Sequence, residues 1–233
     1  MKRYVLTLMV VFVGIGLYAQ VQETANAIET QSKTMAFDNI NKTNELIIEL
    51  GDVETSGGLP LMEALRERKS NRNISPSEID FQLLAKLLWA ACGVNRPAEN
   101  KKTVPSARNV QEIEIYAFME NGIWHYNPIA KQLHLTKAGD HRKSVSRLEF
   151  VGAAPVVLVL VANYDKMKDF SAEDKVFYSS IDCGYVGQNI YLFAASENLA
   201  TVTIGQVNRE AVAKLIGLKN GKVMIAHPIG YAK

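Results

Sequence analysis

Apolar and polar positions along this chain change period several times, and each change predicts an element. After a polar stretch, Pro60 opens a helix to about Glu67, with Leu61 and Leu65 on one face. Ser75-Pro76-Ser77-Glu78 reads as a capping box with Pro at the first helical position. Phe81, Leu84, Ala85, Leu88 and Cys92 then recur at helical spacing, and Gly93 ends the run. From Gln111 to Met119 the period falls to two: Ile113, Ile115 and Ala117 alternate with Glu114, Tyr116 and Phe118. Asn121-Gly122 then predicts a tight turn into a strand over Ile123–Tyr126.

Val156–Val161 is an unbroken β-branched and Leu run, the pattern of a buried central strand. Cys183–Asn198 is apolar on most sides (Val186, Ile190, Leu192, Phe193, Ala194, Ala195), which predicts a helix in the core or in a subunit interface. Asn208 caps a short helix ending at Gly217, and Lys222–Ala226 is a last strand. Helices and strands interleave without a βαβ rhythm or an internal repeat, so the fold class expected is α+β.

Composition narrows the class. At 48% apolar and 21% charged residues the chain is neither disordered, collagen-like nor a multi-span membrane protein. Its 26 basic and 24 acidic side chains give a net charge of +2, a hint of nucleic-acid binding. The hint dissolves at the N-terminus. Lys2 and Arg3 precede an uncharged run, Val5–Leu17, followed by Tyr18-Ala19, the layout of a secretory signal peptide over residues 1–19. Without it, 24 basic side chains face 24 acidic ones. Gly14, Gly16 and Ala19 spell a dinucleotide fingerprint, but no mature strand precedes them. An exported protein, periplasmic or secreted, is expected. Residues 20–58, rich in Gln, Glu, Thr, Asn and Ser, read as a polar tether with one short strand at Leu46–Leu50. The globular domain then spans 59–233. Cys92 and Cys183 could pair after export, but each lies in an apolar helical pattern and reads as a buried thiol.

Hydrolase, zinc-protease and P-loop motifs are absent, and His125, His134, His141 and His227 show no ligand spacing, so no metal is expected. Between the first two helices, Arg68, Ser70 and Arg72 alternate. In an extended chain they project to one side, where two guanidinium forks and a hydroxyl suit a phosphate or another anion. A solvated charged turn has the same composition. Thr103–Gln111 is a polar loop leading into a strand. Ala200–Val207 combines small residues with Gly205, which permits close approach of backbone to a flat ligand.

Taken in order, these segments resemble the nitroreductase family of FMN-dependent oxidoreductases, and within it the azoline-dehydrogenase-like branch. The resemblance runs from about Leu59 to Tyr231. It is carried by Pro60–Arg72, Leu87–Pro97, Pro105–Asn109, Ala153-Ala154-Pro155, Asp182-Cys183-Gly184 with Gly187-Gln188-Asn189, and Pro228–Tyr231. It implies a central, mainly antiparallel sheet flanked by helices, and a homodimer with FMN at the interface. It implies that Arg68, Ser70 and Arg72 hold the phosphate, ribityl chain and pyrimidine edge. By the same resemblance Pro105, Ser106, Ala107 and Asn109 reach the partner's flavin, and Thr203, Ile204 and Gly205 lie along the isoalloxazine with a backbone N–H toward N5. Asp140 stands where relatives often place an Asn on the pyrimidine ring. The chain continues only three residues past Gly230, so the C-terminal arm of many relatives is not expected.

The activity implied is two-electron hydride transfer through flavin N5, on an unknown small-molecule substrate with an unknown electron donor. No side chain is singled out as catalytic. The alternative is a non-catalytic flavin-binding or carrier protein on the same fold. Neither nucleic acid nor, after signal removal, a stable membrane span is expected as a partner.

Overall fold

The computed structural model describes residues 47–233. The expected signal peptide and most of the expected tether lie outside them. The helices are α1 Leu61–Glu67, α2 Phe81–Cys92, α3 Glu149–Ala153, α4 Ala172–Ser196 and α5 Arg209–Ile216. The strands are β1 Ile47–Glu49, β2 Val94–Arg96, β3 Lys101–Lys102, β4 Ile113–Met119, β5 Gly122–Asn127, β6 Gln132–Ala138, β7 Val156–Asn163, β8 Leu199–Thr201 and β9 Gly221–Tyr231. Seven strands form one sheet in the order β1-β6-β5-β4-β7-β9-β8, and every pairing is antiparallel. The α+β expectation is met. The strand expected inside the tether is the sheet's edge, with Ile48 opposite Leu133.

β7 is the centre because nothing in it needs water. Val156 to Ala162 are all buried. Val157, Val159 and Val161 join a core beneath α3 and α5 that includes Val151, Val212 and Ile216. Alternation turns Leu158 and Leu160 to the opposite face, the side of the sheet where α2 and α4 pack on each other. α2 contributes Leu84, Leu87, Leu88 and Ala91, and α4 contributes Val186, Ile190 and Ala194.

Two boundaries depart from the sequence pattern. The helix signed by Ser75 begins instead at Phe81. Asp80 is its cap, accepting the N–H groups of Gln82 at 2.8 Å and Leu83 at 3.2 Å. Ser75 is held extended because its N–H donates to the Tyr231 carbonyl at 2.8 Å. That N–H is the one a capping box gives to Glu78, so the box does not close. The helix expected over 183–198 begins eleven residues earlier, where Ser171 Oγ accepts the Asp174 N–H and Glu173 and Asp174 favour a helix start. β6 is a further strand, with Leu133 as its deeply buried residue. β9 runs past Ala226 to Tyr231.

Leu160 is fully buried in β7. Leu160→Ala is expected to cost about 2–5 kcal/mol of stability, read as a lower urea midpoint with unchanged slope.

Candidate functional site

α4 carries two polar clusters, nine residues or about 14 Å apart along the helix and half a turn apart around it. The first is centred on Tyr191. Its hydroxyl receives the Thr203 N–H at 2.8 Å and lies 2.9 Å from Ser70 Oγ. The Arg68 guanidinium sits 5.3 Å from the centre of its ring. Burial would raise this phenol, but the hydrogen bonds from Ser70 and Thr203 and the nearby Arg68 charge bring it below its ordinary value. The Asn71 N–H donates to the Thr201 carbonyl at 2.8 Å, so the strand-like segment after α1 is anchored to β8.

His227 lies beneath Tyr191, edge-on at 5.4 Å between ring centres. Its Nε2 is 3.2 Å from Thr203 Oγ1 and its Nδ1 is 3.5 Å from Thr201 Oγ1. Burial pushes the imidazole down to about 3, so it is neutral at working pH and links two hydroxyls. Gly187 makes this contact fit: a Cβ there would sit 3.2 Å from His227 Nε2.

Three consecutive backbone N–H groups at 203–205 have different fates. That of Thr203 is taken by Tyr191, and that of Ile204 by the Ala226 carbonyl at 2.7 Å. The Gly205 N–H has no acceptor among the described residues, and open space lies around its Cα. Its carbonyl is fixed by Arg209 Nη2 at 3.0 Å. Arg68 and Arg72 have no carboxylate partner among the described residues, whereas Arg66, two residues before Arg68, is tied to Glu63 and Glu67. The arrangement is therefore two cations without a carboxylate partner among the described residues, a hydroxyl shared with Tyr191 and one free backbone donor, a set that favours an anion bearing further acceptors. The chain end is close by: the Lys233 N–H donates to the Asn73 carbonyl at 3.0 Å.

The second cluster surrounds Asp182, whose Oδ2 accepts the Ala107 N–H at 2.9 Å. That bond ties the loop after β3 to α4. Inside the loop the Gln111 N–H donates to Ser106 Oγ at 3.0 Å. Arg108, Asn109 and Gln111 all have positive φ, between 51° and 55°. Beside Asp182 lies Glu112, fully buried, and no N–H or hydroxyl of another described residue reaches its carboxyl oxygens. Burial pushes Glu112 well above the ordinary carboxylate range, and the Asp182 charge pushes it further. Burial also raises the thiols of Cys92 and Cys183, which are free.

A nitroreductase-family model matches residues 65–231. The chain belongs to the nitroreductase family. It is 29% identical over 193 residues to a candidate nitroreductase of Methanocaldococcus jannaschii, covering 78% of this chain and 95% of that one. A crystal structure of a candidate nitroreductase from Ralstonia eutropha JMP134 superposes with a TM-score of 0.78 at 33% identity, covering 82% of this chain and 91% of the other. A chain of the Escherichia coli microcin synthetase McbBCD complex shares the fold at 18% identity, with a TM-score of 0.65 over 82% of this chain and 79% of that one.

For this nitroreductase-family chain, the expected residues fall into three groups. Arg68, Ser70, Thr203 and Gly205 come together around Tyr191, with Ile204 as the β-bridge that fixes the segment. Arg72 follows Asn71, which is pinned to β8. Pro105, Ser106, Ala107 and Asn109 lie at the other cluster, tied to Asp182. Asp140 joins neither through a hydrogen bond or ion pair: it is forked to Arg142, Nε to Oδ1 at 2.9 Å and Nη2 to Oδ2 at 2.7 Å. Those bonds hold its carboxyl below the usual range. Tyr191, His227 and Glu112 were not foreseen as site residues. The signal for Tyr191 was its spacing of four from Gly187, which puts both on one helix face. Glu112 is flanked by strand residues and carries no such signal.

A neutral buried His227 has a clear pH signature. Between about pH 6.5 and about pH 3 the unfolded chain takes up a proton that the folded one refuses, so stability falls as pH drops through that window. His227→Gln is expected to flatten this fall, measured as the slope of the urea midpoint against pH. A slope equal to that of the wild type would contradict a neutral buried imidazole.

Proposed function

We propose that this nitroreductase-family chain binds FMN and acts as an oxidoreductase, with Arg68 and Arg72 on the phosphate and Gly205 N–H toward flavin N5. One observation carries the reading: a segment with two arginines that lack carboxylate partners among the described residues is tied, through Tyr191 and β8, to the 203–205 segment, whose Gly205 N–H has no acceptor among the described residues. A dianionic phosphate with a ring that offers acceptors matches that set.

FMN supplies two-electron hydride transfer at N5; the protein's residues do the rest. Tyr191 keeps the Thr203 N–H occupied and holds Ser70 beside Arg68. His227, through Thr203 Oγ1, sets the height of the 203–205 segment. The Gly205 N–H can hold acceptor density at the reacting edge without carrying a titrating proton. A proton-donating side chain is not required at that point.

The separation of the two clusters along α4 supports a homodimer in which the Pro105–Asn109 loop of one subunit completes the site of the other. An exposed apolar stripe on α4 supports it too: Val176, Phe177, Ile181 and Tyr185 are 38–59% exposed. In this reading the protein is exported, on the strength of the Lys2-Arg3 and Val5–Leu17 pattern. It belongs with the azoline-dehydrogenase-like branch, and its electron donor is a small molecule or protein of the same compartment. A substrate that is itself the hydride donor would meet that need.

The purified chain is expected to be yellow and to release FMN on denaturation. A colourless chain that does not quench added FMN fluorescence would sink the cofactor assignment. Arg68→Ala is expected to weaken FMN at least about tenfold, the scale of one lost charge-assisted contact, with an unchanged urea midpoint. Photoreduced flavin that is reoxidised by nitroaromatics or quinones would establish turnover; a reduced flavin inert to both and to oxygen would mark a carrier. Phe177→Glu is expected to shift the chain to a monomer by light scattering and to lower FMN retention with it.

A further inference from the structure

We propose that Glu112 keeps a proton beside the Asp182 carboxylate, and that this proton holds the Pro105–Gln111 loop in its strained shape. The two would then be positioning residues, acting through the loop rather than touching a ligand. The consequence for flavin rests on the function proposed above; the consequence for the loop does not.

The argument begins with burial. Glu112 is completely buried, Asp182 is 4% exposed, and no N–H or hydroxyl of another described residue reaches either oxygen of Glu112, which leaves Asp182 as its polar neighbour. Two carboxylates in a dry site repel, and the lower-energy state keeps a proton on one of them. The groups facing the pair are few. Lys102 from β3 is 8% exposed, Cys92 comes from α2, and Cys183 from α4. Both thiols stay neutral, since burial raises them. With the proton on Glu112, the charges of Lys102 and Asp182 balance. Once it leaves, the buried cluster holds two negative charges and one positive.

The loop stands at the outlet of that imbalance. Asp182 spends Oδ2 on the Ala107 N–H. A small cavity lined by Lys102, Pro105, Ser106, Asp182 and Val186 lies beside this bond. Downstream of Ala107, three side-chain-bearing residues hold left-handed backbone, which relaxes when its anchors let go. Other anchors hold the rest of the loop: the Gln111 N–H donates to Ser106 Oγ, Lys166 Nζ donates to the Gln111 carbonyl at 3.2 Å, Gln111 Nε2 donates to the Asn100 carbonyl at 2.7 Å, and Arg108 stacks on Phe170 at 4.6 Å; none of them holds the Ala107 N–H, which Asp182 alone takes. As pH rises and Glu112 loses its proton, repulsion between the two buried carboxylates weakens the hold of Asp182 on the Ala107 N–H.

Amide hydrogen exchange at Ala107 in the flavin-free full chain reads this without reference to activity. Corrected for intrinsic exchange, protection should fall at least about tenfold between about pH 5 and about pH 9, while amides of β7 stay protected. Glu112→Gln keeps a donor toward Asp182 and removes the titration, so its protection should change less than about twofold across the same range. Asp182→Asn keeps an acceptor for Ala107 and separates the charges, and it carries the same expectation should the Gln variant fail to fold. A flat wild-type profile, or a folded variant of either kind with the wild-type dependence, would overturn the proposal. FMN titrations on the same samples keep the two readings apart. Flavin affinity that falls with Ala107 protection in the wild type and not in the variants extends the proposal to the site. Absence of FMN binding at every pH would sink the cofactor assignment and leave the loop result standing.

Discussion

A 25-residue helix packed against a sheet must bury one face along its whole length, and in α4 that face is not wholly apolar. Val186, Ile190 and Ala194 supply the hydrophobic contact. Asp182 is carried into the same buried layer, and Tyr191 to its margin, by the helical repeat. Groups forced out of water need partners at short range or they destabilise the fold by about 1–3 kcal/mol each. Most of the local structure of both clusters follows from this. Thr203 N–H and Ser70 meet the phenol, and Ala107 N–H meets the carboxylate. The loops that provide these partners are therefore placed by α4, not by their own propensities.

Much of the fold was legible because hydrophobic period and burial agree in the centre. The unbroken run at β7 and the alternation at β4 admit one arrangement each. Legibility fails where a long-range pairing overrides a local signal. Ser75-Pro76-Ser77-Glu78 is a good helix start on its own, but the Tyr231 carbonyl, distant in sequence, takes the Ser75 N–H. The first half of α4 is missed for the opposite reason: its apolar residues Val176, Phe177 and Ile181 face outward and disturb the expected stripe. At the site, Arg68, Ser70, Thr203 and Gly205 could be picked out by residue type and order. His227 could not, since one histidine in a strand has no spacing to read and its role depends on Gly187 letting it approach α4. Asp140 shows the converse. Its position in the order suggests a ligand contact, yet Arg142 two residues on satisfies both of its oxygens.

The two buried titratable centres pull stability in opposite directions. His227 resists gaining a proton, which penalises acid. Glu112 resists losing one, which penalises base between its ordinary carboxylate value and its raised one. The two slopes are opposite in sign and largely cancel between the ordinary carboxylate and imidazole values, so the pair leaves a plateau there.

The loop held by Asp182 is close to energetic balance. Left-handed backbone costs on the order of 1 kcal/mol for each of Arg108, Asn109 and Gln111. A hydrogen bond from a buried N–H to a carboxylate contributes roughly 1.5–3 kcal/mol, about the same sum. A segment so poised is neither rigid core nor free chain, and small changes in the charge of one buried pair are large on that scale. α4 thus does two things from opposite margins of its buried face. At Tyr191 it fixes a donor array that does not titrate, and at Asp182 it fixes a loop whose hold depends on a proton. Chemistry that must exclude water at one point and admit a substrate at another has use for that division.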